Sequence, residues 1–174
     1  HPLVPDAPLK MAAEGSGLAD LFNAVQLEVS GAQLSAASLA NDVAGLPQVV
    51  RRRDLLIAYP YTNTLTVLRI TGAVLHQAME RSAAYFTRGE DNDISRPVGQ
   101  RVVSLLVDGH PVADTDEFTI CLNSYRASGT GGYGCYVGCP VVREIPHEMS
   151  ELLLEYFRRH GGDIPLAASD YRVC

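Results

Sequence analysis

The sequence has little concentrated positive charge and no long apolar segment. Its formal net charge is -6 at pH 7, and Lys10 is the one lysine among 14 cationic residues. The clustered cations are Arg51-Arg52-Arg53, so the chain lacks the basic stripe that binds the phosphates of a nucleic-acid polymer. No run approaches the roughly 18 apolar residues of a membrane span, and no secretory signal is visible at the start. We therefore expect neither a nucleic-acid polymer as partner nor a membrane span.

The spacing of the cysteines does not favour a structural zinc site. The four are Cys121, Cys135, Cys139 and Cys174. The spacing Cys135-x-x-x-Cys139 is wider than the C-x-x-C of zinc knuckles, and no second cysteine pair completes it. The pair is either two thiols in a tight turn or a disulfide that closes a short loop.

Catalytic motifs are present only in fragments. Asp108-x-His110 resembles the start of a two-metal phosphoesterase site, but the further Asp, Asn and His clusters that would bridge two ions are missing. His147-Glu148 begins a zinc-protease pattern and lacks its second histidine. No Ser, His and Asp follow a recognisable triad order. We expect no catalytic residue, metal site or cofactor within this chain.

The periodicity of the apolar residues predicts an α+β fold. Ser16 is the expected cap of the first long helix and Gly31 its end, and Asp108-Gly109 is expected to form a hairpin turn. The predicted helices are 16–29, 49–58, 73–86 and 148–160, the predicted strands are 64–70, 101–107, 118–122 and 171–173, and 32–40 is a strand or an irregular segment. Because these elements do not alternate as βαβ units, we expect a mixed β-sheet with packed helices. A length of 174 residues fits one domain, expected at 16–174 after a proline-rich lead segment at 1–15.

A glycine-rich run, Gly129-x-Gly131-x-x-Gly134, resembles the dinucleotide-binding fingerprint. That fingerprint requires a strand before the glycines and a helix directly after them, because the helix N-terminus holds the pyrophosphate. A strand is expected at 118–122, but the residues after the run, Cys135 to Pro140, do not begin a helix. The glycines therefore need another explanation.

Two blocks of sequence together resemble the C-terminal domain of the 5′-nucleotidase family. The first reads Tyr-Pro-Tyr-Thr-Asn-Thr-Leu at 59–65, followed by Ile-Thr-Gly-Ala-Val-Leu at 70–75 and Met-Glu-Arg-Ser at 79–82. The second reads Asn-Ser-Tyr-Arg-Ala-Ser-Gly at 123–129. The Tyr-Arg-Ala variant, with Ser-Arg-Pro-Val-Gly-Gln-Arg-Val at 95–102 before it, is similar to the 2′,3′-cyclic-nucleotide 2′-phosphodiesterase/3′-nucleotidase branch.

The resemblance implies a domain that recognises the nucleoside, joined to an N-terminal metallophosphoesterase domain that holds two divalent metal ions and lies outside this chain. Such proteins are secreted, periplasmic or attached to the cell wall. The base would stack on Tyr125, and an aromatic face stabilises a stacked base by about 1–3 kcal/mol. The expected substrate-binding residues are Tyr125, Arg126, Gly129, Gly131, Gly132, Tyr133 and Phe86. The glycines would let the backbone approach the ribose.

Some features depart from the family pattern. Thr130-Gly131-Gly132 stands where some members have an acidic residue for the ribose hydroxyls. The second stacking aromatic is expected from a longer insertion, whereas only Thr87 to Ile94 is present here. Three alternatives remain: Tyr85 or Phe86 substitutes, the base stacks on one side only, or a mobile loop is absent from this sequence. Asn63 and Arg81 are interpreted as a turn residue and a helix-surface charge. The alternative is a non-catalytic cell-surface domain that kept the fold and lost the pocket.

Overall fold

The structure, a computed structural model, describes residues 3–88, 96–161, 163–167, 171 and 173. Within them the helices are α1 (Pro8–Glu14), α2 (Gly17–Ser30), α3 (Arg52–Ala58), α4 (Gly72–Ala83), α5 (Ser124–Ala127) and α6 (Met149–His160). The strands are β1 (Leu34–Ala36), β2 (Leu65–Thr71), β3 (Leu106–Val107), β4 (His110–Pro111), β5 (Glu117–Asn123) and β6 (Val141–Ile145). Two short 3-10 helices lie at Ala84–Arg88 and Gly134–Tyr136.

A four-stranded mixed sheet is the centre of the domain. Its strand order is β1-β5-β2-β6, with β1 parallel to β5 and the other pairs antiparallel. One face buries Val67 and Cys121 together with residues of α2, α3 and α6. The opposite face buries Leu68 and Leu122 with residues of α4. The prediction of an α+β fold with a mixed sheet and packed helices is confirmed.

Most predicted elements occur close to their expected positions. Helix α2 starts after Ser16 and ends at Gly31, whose φ of 63° is the left-handed conformation that glycine adopts without strain. The hairpin turn is also present, since Asp108 and Gly109 have φ values of 50° and 78° and connect β3 to β4.

Four predictions about secondary structure differ from the structure. The predicted strand 101–107 is reduced to β3, because the Val102 N–H donates to a Glu80 side-chain oxygen instead of to another strand. Strand β6 was missed. Tyr171 and Val173 do not form a strand, and Arg172 lies outside the described residues. A 3-10 turn, although no α-helix, follows the glycines at Gly134–Tyr136.

The lead segment contains more structure than its prolines suggest. Pro8 begins α1, where a missing N–H is tolerated, and Met11 of this helix is buried in the core. Leu3 exchanges both backbone hydrogen bonds with Leu46, at 2.9 and 2.8 Å. The division at residue 15 stays a prediction.

Candidate functional site

The candidate site lies at the end of the sheet where β5 ends and β2 begins. Asn123, the last residue of β5, pairs with Leu65, the first residue of β2. Beyond this pair the Ser124 N–H donates to the Thr64 carbonyl at 2.8 Å. Antiparallel pairing therefore brings the loop before β2 and the turn after β5 to one edge of the sheet.

Tyr125 is presented at this edge by a capped helical turn. The Asn123 side-chain oxygen accepts the Arg126 N–H at 2.7 Å, which caps α5 and turns the chain directly after the strand. The Tyr125 side chain is 51% exposed. Among the described residues its ring and hydroxyl make no aromatic contact and no hydrogen bond. An aromatic face is thus held out to solvent with its position fixed by the backbone.

Tyr61 is a second exposed aromatic in the loop at the same edge, and the sequence reasoning did not assign it a role. Its ring is 43% exposed and contacts Tyr59 edge-on, with 5.6 Å between the ring centroids. Tyr59 is buried and contacts Phe22 in the same way at 5.3 Å. Tyr61 is therefore connected to the core by two successive edge-on aromatic contacts. Its signal in the sequence is an aromatic residue just before the strand that pairs with β5.

Arg126 and Tyr133 hold the glycine-rich loop together. The guanidinium carbon of Arg126 lies 4.1 Å from the centroid of the Tyr133 ring, within the range of a cation–π interaction. The same guanidinium donates to the Thr130 carbonyl at 3.3 Å and to the Ser38 hydroxyl at 3.2 Å. Tyr133 is half-buried, and its ring is parallel to that of the buried Tyr136 at 6.0 Å. Both predicted site residues are therefore engaged in contacts with each other and with neighbouring residues of the protein.

The loop glycines adopt positive φ values, and arginine side chains lie close to two of them. Gly129, Gly131 and Gly132 have φ values of 86°, 75° and 85°, a region that other residues rarely adopt. A Cβ at Gly131 would overlap the Arg126 guanidinium, and one at Gly132 would lie 2.5 Å from Arg81 Nε. The loop is exposed on the other side, with Gly131 and Gly132 open to solvent.

Arg81, interpreted from the sequence as a helix-surface charge, reaches from α4 to this loop. Its guanidinium donates to the Gly131 carbonyl at 2.9 Å, and its guanidinium carbon lies 5.5 Å from the Tyr133 ring centroid. One residue further, the Ser82 and Tyr133 hydroxyls form a hydrogen bond of 2.8 Å. The C-terminal half of α4 thus fixes the loop from the side.

Glu80 connects α4 to the segment that carries the Arg-Pro-Val-Gly block. Its Oε1 accepts the Val102 N–H at 2.7 Å, and Arg101 donates from its guanidinium to the Ala83 carbonyl at 3.1 Å. Burial acts to raise the pKa of the Glu80 carboxyl. The N–H groups of Val102 and Arg101, the nearby His76 and the Gly99 N–H outweigh it and hold the pKa below its usual value. These contacts connect the first sequence block, which ends in α4, to the Arg-Pro-Val-Gly segment. Ser95 lies outside the described residues.

Phe86 lies on the 3-10 helix that continues α4. Its ring is half-buried and contacts the ring of Tyr85 edge-on at 5.8 Å. Tyr85 is 42% exposed. Residues 89–95, which include most of the short segment expected to lack an aromatic, are outside the described part of the chain.

The cysteines near the loop are thiols. Cys135 and Cys139 are both free, and the Cys139 Sγ donates to the Cys135 carbonyl at 3.5 Å. Partial burial raises the pKa of both thiols. Cys121 in β5 is also free and buried, and burial raises its pKa to about 11. Cys174 lies outside the described residues.

The described residues contain neither a metal-binding cluster nor a membrane-spanning helix. No group of three or more His, Cys, Asp or Glu side chains in this part of the chain could hold a metal ion. No helix within it is long and apolar enough to cross a membrane.

Comparison with protein families gives a match over residues 6–137 to the model described as 5′-nucleotidase, C-terminal domain. The chain belongs to this family. A Staphylococcus aureus protein, described as a 5′-nucleotidase and solved in complex with alpha-ketoglutarate, has the same fold with a TM-score of 0.86 and 31% identity. The alignment covers 95% of this chain and 38% of that one. The family predicted from the two sequence blocks is therefore confirmed.

Two curated relatives of this 5′-nucleotidase C-terminal domain are longer enzymes. The trifunctional nucleotide phosphoesterase YfkN of Bacillus subtilis is 23% identical, with 66% of this chain and 10% of that protein aligned. The 2′,3′-cyclic-nucleotide 2′-phosphodiesterase/3′-nucleotidase of Haemophilus influenzae is 25% identical, with 82% of this chain and 29% of that protein aligned. The chain thus spans less than a third of the length of either relative.

Proposed function

We propose that this domain binds the nucleoside part of the substrate of a nucleotidase or cyclic-nucleotide phosphodiesterase. The observation that carries the proposal is the Tyr125 ring, which is half exposed and has no aromatic or hydrogen-bonding partner among the described residues. An exposed ring held by a capped turn is ready to stack on a base without rearrangement, because its backbone position is already fixed. Membership of the 5′-nucleotidase C-terminal domain family supports the same role.

Tyr61 is the best candidate for the second aromatic of the site. It is exposed, it lies on the loop whose Thr64 carbonyl accepts the Ser124 N–H, and its own position is supported by Tyr59. Phe86 and Tyr85 contact each other on a different element, the 3-10 helix after α4. We therefore propose that Tyr61 and Tyr125 form the base platform. Phe86, the second aromatic expected from the sequence, is the alternative to Tyr61.

The glycine-rich loop would border the ribose. Gly131 and Gly132 are exposed and have no side chains to obstruct a sugar, while Gly129 is half-buried and allows the loop to turn. Arg126 and Tyr133 would position this loop instead of contacting the substrate, since their groups already contact each other. Gly131 and Gly132 would therefore contact the substrate, while Arg126 and Tyr133 would support the loop.

The hydrolytic chemistry would belong to a partner domain. We propose an N-terminal metallophosphoesterase domain that holds two divalent metal ions, which would activate water and stabilise charge on the phosphoryl group, in a protein that is exported. The lengths of the relatives support a larger parent protein. The pure 174-residue chain should then leave 2′,3′-cyclic AMP and 3′-AMP intact when divalent metals are added. Metal-dependent turnover by the pure chain would overturn this division of labour.

The test of nucleoside binding compares a ligand that has a base and no phosphate with one that has a phosphate and no base. Adenosine and ribose 5-phosphate are titrated at millimolar concentration into the chain while its backbone amide signals are recorded. Base stacking predicts that adenosine shifts the signals near Tyr125 and Tyr61, while ribose 5-phosphate does not. The alternative, a surface domain that lost its pocket, predicts that neither ligand shifts them.

A further inference from the structure

A cavity away from the candidate site is lined by three arginines and, among the described residues, by no acidic side chain. It lies between the start of α3 and the last turns of α6 and has a volume of about 290 Å³. Arg51 and Arg52 approach it from the first element and Arg158 from the second. Leu55, Leu154 and Phe157 contribute apolar surface. In a chain with a net charge of -6, this is a local concentration of positive charge.

The arginines at the cavity differ from their sequence neighbours. Arg53 pairs with Asp54, with 3.6 Å between Nε and Oδ1, and Arg159 pairs with Glu28, with 2.8 Å between Nη2 and Oε1. Arg52 and Arg158 form no ion pair or side-chain hydrogen bond with any residue that the structure describes. In each pair of adjacent arginines, one is neutralised internally and the other lines the cavity with its charge uncompensated.

Stability of the fold does not explain this arrangement. Arg52 lies in the first turn of α3, where a cation opposes the helix dipole. Arg158 lies in the last turn of α6, where a cation is favourable, but Arg159 and His160 already occupy that turn. Arg51, Arg52 and Arg158 are exposed, so water screens their mutual repulsion, and an anion bound among them would remove what is left of it.

We propose that this cavity binds a small organic oxyanion, a phosphate ester or a carboxylate that carries a compact apolar group. Guanidinium groups recognise both headgroups with paired N–H donors. The apolar part would contact Leu55, Leu154 and Phe157, of which Leu55 is buried in the core and the others are half-buried. The volume is at the lower end of the roughly 300–1,000 Å³ of small-molecule pockets, which favours a ligand with one ring or a short chain.

Phenyl phosphate and benzoate are the probes, because each joins an oxyanion headgroup to a compact apolar ring. Each is titrated into the 174-residue chain, and the backbone amides of residues 154–158 are followed. We expect saturable shifts of these amides with at least one of the two probes, and the stronger of them identifies the headgroup. Inorganic phosphate and benzyl alcohol, which each lack one feature, should bind about tenfold more weakly or less. Shifts confined to the surroundings of Tyr125 would overturn the proposal.

Matched arginine pairs provide the control. The double variant Arg52→Gln/Arg158→Gln should weaken binding of the better probe by about tenfold or more, because it removes the charge-assisted hydrogen bonds. The double variant Arg53→Gln/Arg159→Gln removes the same charge from the adjacent positions and should change binding by less than about twofold. Thermal unfolding of both variants checks that each is folded. Equal weakening by the two variants would show a general effect of charge and would contradict a built site.

Discussion

The Arg126 guanidinium lies over the ring of Tyr133 at 4.1 Å, and its hydrogen bonds reach Thr130 and Ser38. One side chain thus connects the turn that carries Tyr125, the glycine-rich loop and the segment after β1. We therefore expect this side chain to contribute to the rigidity of the candidate site.

Replacing Arg126 should loosen the loop without unfolding the domain. Arg126→Gln removes the cation–π contact and two hydrogen bonds, so we expect a loss of about 1–2 kcal/mol in the free energy of unfolding and faster amide exchange at residues 129–134. Arg69→Gln is the control, since Arg69 is exposed and makes no side-chain hydrogen bond or ion pair with the described residues. If exchange in the loop is unchanged in Arg126→Gln, the contact does not hold the loop.

Alanine variants at Gly131 and Gly138 distinguish the effect of backbone strain from the effect of side-chain crowding. Both have positive φ, 75° and 83°, but a Cβ at Gly131 would overlap the Arg126 guanidinium, while one at Gly138 would meet nothing within 4 Å. Both alanine variants should lose about 1–2 kcal/mol from the strained backbone. Gly131→Ala should lose about 1 kcal/mol more, because Arg126 must move and break its contacts. Denaturant unfolding measures the difference, and equal losses would mean that Arg126 moves freely.

The Glu80 carboxylate should make stability depend on pH in the acid range. Because its pKa is lower in the folded state than in the unfolded chain, its stabilising effect is complete above the unfolded value of 4.5 and is lost as the pH falls through the folded value. Glu80→Gln should therefore be less stable than the parent by about 1–2 kcal/mol at pH 7, with a smaller gap in acid. Glu155→Gln, at an exposed position of α6, should show no such gap. A gap for Glu80→Gln that stays constant down to pH 3 would argue against a charged Glu80.

The Cys121 thiol should make the stability of the fold depend on pH in the alkaline range. Burial raises its pKa from 9.0 to about 11, so the unfolded chain loses this proton first and stability falls as the pH rises from 9 toward 11. Cys121→Ala should differ from the parent by a constant free energy of unfolding up to pH 9 and by a shrinking amount above it. Thiol labelling at pH 8 with mass spectrometry should also modify Cys135 and Cys139 before Cys121, which is buried. Rapid labelling of Cys121 in the folded chain would contradict the burial.

The main elements could be predicted from the sequence because their signals are local. The apolar spacing of α2 and α6 and the β-branched residues of β2 mark these elements directly. Strand β6 was missed because four of its five residues are exposed at the sheet edge, so no alternation of apolar residues reveals it.

The candidate site was predictable only in part. Tyr125 follows from its position in the second sequence block, but the role of Arg81 depends on a hydrogen bond to Gly131, fifty positions away in the chain. Tyr61, which we propose as part of the site, was not assigned a role from the sequence, because the position of its loop at this end of the sheet results from strand pairing. Contacts of this kind have no periodic signature in a single sequence.

The role that we propose for Tyr125, a platform on which a base stacks, is tested by one binding measurement. The dissociation constant of adenosine is measured by chemical-shift titration for the parent chain, Tyr125→Ala and Tyr125→Phe, with thermal unfolding to check that each is folded. Loss of a base stack predicts that Tyr125→Ala binds more weakly by about 1–3 kcal/mol, while Tyr125→Phe, which keeps the aromatic face, binds nearly as well as the parent. If Tyr125→Ala binds adenosine as tightly as the parent chain does, Tyr125 is not a platform for the base.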